Sequence, residues 1–322
     1  MSPDLPKPGT CETVLPRPVV LPLRFDDQTC LAIYQPAASE LLVLLINGGA
    51  QIRAGSHRLY QQLALDWQQA GIASLRFDFP GFGDADGQPG DFVAHSRYLA
   101  QLPAQLENYF GRARPVACFG LCDGATAALL ATPVLKPKAL LLLNPWLRTP
   151  VGHASTMLKF YYLQQLKSRQ FWRKVLSGKL NWRQSLLELT AFWRRRRADT
   201  SKSTETTPSA ELKVNQPAQS MTAATVPQAN ANMNAYPAQT DSVKKALQHW
   251  NSFSGPCLLA LAEPDLTAAE CRQALSQKPW CGILQRAELL NLPEANHTLS
   301  RRADLQAFSA ASQRFLLQLN QG

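Results

Sequence analysis

What the sequence has little of narrows the field first. Its longest unbroken apolar runs, LLVLLI at 41–46 and ALLLLN at 139–144, fall far below the roughly 20 residues needed to cross a bilayer. The opening stretch, MSPDLPKPGTCETVLPRP, is polar and proline-rich and has no apolar core, so no secretory signal is expected. The seven cysteines are odd in number and form neither Cys-x-x-Cys pairs nor Cys/His clusters. That excludes a disulfide framework and a zinc site by pattern, and it suits a reducing cytoplasm. No glycine-rich loop runs into Gly-Lys-Ser/Thr, which argues against a phosphate cradle. No internal repeat is visible, and nothing in the pattern calls for a metal or a cofactor.

What remains is a chain of 322 residues, 45% hydrophobic, long enough to bury one large core or two smaller ones. Strand and helix signals alternate through much of it. Residues 19–35 read as two strands meeting at Asp26-Asp27-Gln28, a hairpin signal. LLVLLI is a buried strand, HRLYQQLALDWQQAG a helix closed by Gly71, and IASLRFDF a second buried strand. A glycine-rich loop, PGFGDADGQPG, precedes a helical stretch from Phe92 to Phe110 that Pro103 should interrupt. Strand 115–119, the helix after Cys122 and strand 138–143 follow. This alternation predicts an α/β fold whose sheet is mostly parallel and carries helices on both faces.

After Asn144-Pro145 the pattern changes. Residues 147–197 carry helical periodicity, with Trp182, Leu186, Leu189 and Trp193 on one face, and read as a helical cap insertion. The segment 198–240, rich in Thr, Ser, Ala, Pro, Gln and Asn, reads as a disordered linker. Strand and helix signals then resume in 241–322: a helix at 241–252, strand PCLLALA, a helix near 267–277, strand AELLNLP and a last helix near 302–320. The core is therefore expected in two parts, 19–146 and 241–322, behind an extension at 1–18.

The chemistry centres on FGLCDGATAALL, where a buried strand meets a helix through Gly120-Leu121-Cys122-Asp123-Gly124. Gly-x-Cys-x-Gly alone is weak, but a strand-to-helix turn is the setting of a nucleophile elbow. The helix N-terminus would favour the thiolate of Cys122. Cys11, Cys30, Cys118, Cys257, Cys271 and Cys281 read instead as buried, inert thiols. A base and an orienting acid should follow in the order nucleophile, acid, histidine. Asp265, after strand CLLALA, and His297, after AELLNLPEAN, fill those places. Glu263 is the rival acid. His57, His95, His153 and His249 fall in helical or capping segments, where a surface or packing role is the default. For the oxyanion, the N–H of Asp123 and the N–H of Gly49, in the loop NGGAQ, are the expected donors.

These residues resemble those of the α/β-hydrolases. More narrowly, NGGAQIRAGSHRLY, LRFDFPGFGDADG, FGLCDGATAALL, LLLNPW, YYLQQLKSRQFWRKVLSGKL, EPDLTAAE and EANHTLSRR resemble the exosortase A system-associated hydrolase 1 family. The likeness runs from about residue 20 to 197 and from about 241 to 320. The family commonly has Ala at the place of Gly124 and Val-Gly-Gly-Pro-Gln at that of INGGAQ. The resemblance implies a cysteine-nucleophile hydrolase tied to exopolysaccharide export and PEP-CTERM sorting. The expected activity is hydrolysis of an ester or thioester by Cys122, His297 and Asp265. Acyl transfer by the same residues, and a non-catalytic accessory protein docked at a membrane, stand as alternatives.

The net charge of +10 gathers largely between about 148 and 197, which ends in FWRRRR. A small acyl substrate is the expected partner, with no nucleic acid. The basic cap adds the expectation of peripheral contact with an anionic membrane surface, at the inner membrane. Aromatics interleaved with basic residues suit that role, and they equally suit a lid with a solvated basic face. Each basic residue near such a surface is worth on the order of 1 kcal/mol. The protein should therefore co-sediment with anionic vesicles at low salt and be released at high salt. Binding that ignores lipid charge and salt leaves only the lid.

Overall fold

A computed structural model describes residues 15–148 and 236–319, with side chains from 240 onward in the second stretch. The chain divides into two compact units, residues 1–158 with 234–322 and residues 159–233. All described residues belong to the first. The expected extension up to residue 14, the cap beyond Arg148 and the linker up to residue 235 lie outside the described residues, as do Cys11 and His153.

Strands β1 (Val19–Phe25) and β2 (Gln28–Gln35) form the expected hairpin, turning at Asp26-Asp27. Then come β3 (Leu42–Ile46), α1 (Leu59–Gln69) and β4 (Ala73–Phe77). Helices α2 (Phe92–Leu99) and α3 (Leu102–Phe110) follow. The interruption expected at Pro103 is a complete break just before it. Proline needs no amide partner in a first turn, so it opens α3 instead of bending one long helix. Strand β5 (Val116–Leu121), α4 (Asp123–Leu135) and β6 (Ala139–Leu143) complete the first part.

The second part begins with α5 (Tyr236–Ser252), which starts inside the stretch read as linker. Strand β7 (Cys257–Ala262), α6 (Leu266–Leu275), α7 (Cys281–Arg286), β8 (Glu288–Leu292) and α8 (Arg302–Leu319) follow. The short α7 carries no clear period and escapes the sequence reading. It leaves Cys281 exposed, against the expectation of a buried thiol, whereas Cys30, Cys118, Cys257 and Cys271 are buried.

One eight-stranded sheet runs in the order β1-β2-β4-β3-β5-β6-β7-β8. Pairing is antiparallel for β1–β2 and β2–β4 and parallel from β4 through β8. The central strands are apolar at every position because both faces are covered. Leu42, Leu44, Ile46 and Cys118 point into the core beneath α2, α4 and α5. Val43, Leu45, Ala117 and Phe119 point into the core beneath α1 and α8. There Phe119 meets Tyr60 and Trp67 edge-on at 5.6 and 5.8 Å. Parallel strands share a direction, so the loops after β3, β4, β5, β6, β7 and β8 all emerge at one edge of the sheet.

His95, on α2, has the packing role expected of it. It is 1% exposed and stacks flat on Phe79 at 4.0 Å. Neither ring nitrogen has a hydrogen-bond partner, and burial, slightly opposed by Asp91, lowers its pKa to about 4. The unfolded chain takes up a proton near pH 6.5 that the folded chain refuses. Stability should therefore fall as pH drops from about 6.5 to 4, with a slope of up to about 1.4 kcal/mol per pH unit. Urea unfolding at pH 7 and pH 5 checks this, and His95→Phe should flatten the dependence.

Candidate active site

At the end of β5 the chain turns into α4 with almost no room. A Cβ on Gly124 would lie 2.5 Å from the Ile46 carbonyl oxygen, and one on Gly120 would lie 2.6 Å from Ala125. Both positions need glycine for this close approach. The turn between them leaves Cys122 at φ 58°, ψ −125°, a conformation costing a non-glycine residue about 1–3 kcal/mol. The turn is held by its neighbours. The Cys122 N–H donates to the Leu143 carbonyl at 3.1 Å, and its own carbonyl accepts from Ala125 at 3.1 Å and Trp146 at 3.0 Å.

Cys122 is part-buried at the sheet's C-terminal edge. The helix N-terminus was expected to favour its thiolate, and the surroundings reverse that. Burial pushes the thiol pKa up, and the neighbouring Asp123 carboxyl adds to it. The Asp123 N–H and the more distant Arg148 pull weakly the other way.

Asp265 follows β7 and opens α6, its Oδ2 accepting from the Ala268 N–H at 3.1 Å. The same oxygen meets Nδ1 of His297 at 2.9 Å. A carboxylate only accepts, so Nδ1 carries the hydrogen in this contact and Nε2 is left as the basic nitrogen. The rival acid Glu263 is exposed, with its backbone bonded to Leu292. His57 is exposed, and His249 contacts the Leu130 carbonyl at 3.2 Å. The structure thus joins Asp265 to His297 and sets both beside the elbow, with Asp265 within electrostatic reach of the Cys122 sulfur. No hydrogen bond among the described residues links that sulfur to the imidazole.

The loop after β3 carries Gly48 and Gly49. Asn47 anchors it by donating to the Phe77 carbonyl at 2.8 Å. Arg53 pairs with the buried Asp78 and with Asp84, and its N–H donates to Asp78 at 2.6 Å. Gly49, the expected second oxyanion donor, faces the Asp123 carboxyl with its N–H.

Asn144 is the residue that sequence reasoning passed over. Completely buried just beyond β6, it donates from Nδ2 to the His297 carbonyl at 3.0 Å and accepts the Ala262 N–H at 2.8 Å. It ties the end of the acid's strand to the histidine loop. Its φ of 46° suits asparagine better than most residues. The Asn-Pro pair at a strand end was the available signal, and it read only as the end of a pattern.

The model of the alpha/beta hydrolase family matches residues 43–311, and the chain belongs to that family. No curated protein matches it in sequence. Among solved structures it is similar to Est1E of Butyrivibrio proteoclasticus with ferulic acid bound. There the identity is 14% and the TM-score 0.55, over 92% of this chain and 98% of that one. The esterase Pf2001 of Pyrococcus furiosus matches at 14% identity and TM-score 0.56, over 94% and 90%. The thioesterase domain of the curacin biosynthetic pathway matches at 16% and 0.51, over 94% and 100%. At these identities the likeness is one of fold.

Asn144→Asp keeps the acceptor for Ala262 but loses the donor to His297. It should cost about 1–3 kcal/mol, the penalty of stranding a buried polar partner. It should also speed amide exchange in 294–299 more than elsewhere. Equal stability in urea would mean that the bridge holds nothing.

Proposed function

We propose that the protein is a cysteine hydrolase of carboxylic esters or thioesters, with Cys122 as nucleophile, His297 as base and Asp265 as the group orienting it. The observation that carries this reading is the 2.9 Å contact of His297 with Asp265 at the sheet edge where the strained elbow presents Cys122. Nothing in the packing of a sheet edge requires a carboxylate, an imidazole and a strained cysteine together.

In this reading Nε2 of His297 takes the Cys122 proton as sulfur attacks the acyl carbonyl carbon. A carbon–sulfur bond forms, and the carbonyl π pair moves onto oxygen. Collapse expels the alcohol or thiol, which takes its proton from His297. Water then gives a proton to His297 and attacks the acyl-enzyme. The acid leaves, and Cys122 regains its hydrogen. Because burial holds the resting thiol neutral, the base has a necessary part. Esterases and a thioesterase among the similar folds support the substrate class by analogy only. The association with exosortase and exopolysaccharide systems rests on the sequence resemblance, and peripheral membrane contact rests on the basic charge of 148–197. Among the described residues no helix is long and apolar enough to cross a membrane.

A thiol-reactive acyl probe should label Cys122 stoichiometrically in the wild type and fail in His297→Ala. Over a panel of short-chain acyl esters and thioesters, His297→Ala should lose about 10²–10⁴-fold in kcat. Cys122→Ala and Cys122→Ser should lose nearly all turnover. Equal rates for Cys122→Ala and wild type would remove the nucleophile.

A further inference from the structure

Just past its bond to Cys122, the chain leaving β6 places an arginine that the acyl-transfer chemistry does not use. The Trp146 N–H donates to the Cys122 carbonyl at 3.0 Å. The Trp146 carbonyl accepts from the Thr126 hydroxyl at 2.6 Å, which ties this stretch to α4 as well as to the elbow. Leu147 is buried, whereas Trp146 and Arg148 on either side of it are part-exposed. Arg148 then reaches across to α6, where its Nε lies 3.1 and 3.2 Å from the two carboxylate oxygens of Glu270. Glu270 is buried, about one turn into the helix that Asp265 opens. One end of this ion pair is therefore tethered to the elbow and the other to the element that carries the orienting acid.

The form of the contact is unusual for a pair that serves stability alone. A guanidinium that only neutralises a carboxylate commonly meets it with two parallel N–H···O bonds. Here the single N–H on Nε serves both oxygens. Nη1 and Nη2 carry the other four donors, and they have no hydrogen-bond partner among the described residues. The side chain is 27% exposed, so these donors are open to a ligand. The guanidinium carbon also lies 5.9 Å from the centre of the Trp146 ring, within cation–π range, and Trp146 packs on Phe92 at 5.3 Å. Held at Nε by a buried carboxylate and flanked by the indole, the guanidinium is fixed before anything binds. Its charge reaches the Cys122 sulfur, but as the weakest of the influences there. A cation that does little for the thiol and leaves most of its donors unused suits a group that enters the site.

We propose that Arg148 is a specificity-determining residue, and that the ester or thioester turned over at Cys122 carries a second, anionic group, a carboxylate or a phosphate, bound by the N–H groups of Nη1 and Nη2. The inference rests on the acyl-transfer reading above and names its substrate class. A planar fork of donors matches the paired oxygens of either anion. Glu270 is a positioning residue that holds the fork. Because Arg148 touches the substrate away from the reacting carbonyl, its contact is equal in the ground state and the transition state. Such binding shows in KM and leaves no separate mark on kcat.

Two pairs of esters test it, matched within each pair except for charge: a glutarate monoester against the pentanoate ester of the same alcohol, and acetylglycerol phosphate against acetylglycerol. Equilibrium binding is measured on the full chain carrying Cys122→Ala, which keeps the arginine. The charged member of at least one pair should bind about 10–10²-fold more tightly than its neutral partner. Which pair shows the preference tells carboxylate from phosphate. Adding Arg148→Gln should abolish the preference, and Arg148→Lys should restore part of it, since lysine returns the charge without the fork. Arg148→Gln strands the Glu270 carboxylate, so Arg148→Gln with Glu270→Gln is the variant to use if the single change unfolds the protein. With Cys122 in place, the loss for the charged ester should appear as a raised KM. Charged members that bind no better than neutral ones in both pairs overturn the proposal, as does a preference that survives Arg148→Gln. Turnover of the esters by Cys122→Ala would instead remove the nucleophile, and the binding ratio separates that failure from a failure of Arg148.

Discussion

Where α4 leaves β5 it runs against the end of β3 at bare-backbone distance, and the site is built around that contact. The 2.5 Å from a would-be Cβ at Gly124 to the Ile46 oxygen measures how little room there is. With no slack, the residue between strand and helix is driven to positive φ and lifted out of the sheet. A strain of about 1–3 kcal/mol persists only where the surroundings over-determine it. Here they do: β3, β5 and β6 are buried on both faces, and the chain after β6 closes on the Cys122 carbonyl through the Trp146 N–H. The same proximity brings the loop after β3 close enough for its glycines to face Asp123.

Bringing the acid and the histidine to that elbow is a separate task, since they arrive on strands β7 and β8 after a long interruption of the chain. Parallel pairing sets the direction of those strands but not the height of the loops above them. Asn144 supplies that register. One amide reads the end of β7 and the histidine loop at once, from a position whose neighbour in the next strand is Cys122 itself. A fully buried amide with both ends satisfied is geometrically exacting, which makes it a better spacer than an apolar side chain of the same size. Cys122, Asp265 and His297 are thus referred to one residue at the end of the central sheet.

Much of this was legible in the residues. Unbroken apolar strands alternating with helices specified a parallel sheet covered on both faces, and the Asp-Asp turn specified the antiparallel edge. Gly120, Cys122 and Gly124 marked the elbow because close backbone approach leaves a compositional trace. Asp265 and His297 could be picked by their place after a strand. What failed to show was anything that depends on depth. Cys281 reads like the other scattered cysteines, and only the packing of α7 exposes it. Asn144 looks like a strand terminator, because a sequence records the turn it makes and not the two partners its amide finds across the sheet.

The state of the thiol follows from comparing magnitudes. A helix N-terminus stabilises an adjacent negative charge by about 0.3–1 kcal/mol, and by up to about 2 in part-buried geometries. Burial can move an ionisable group by 3–5 pKa units, roughly 4–7 kcal/mol. At Cys122 the second effect exceeds the first, and the carboxyl of Asp123 adds to it. An elbow of this kind does not store a thiolate. In the proposed reading the thiol is neutral at rest and gives up its proton when the imidazole of His297 takes it. In that reading the strained turn aims the sulfur and Asp265 orients the imidazole that takes its proton.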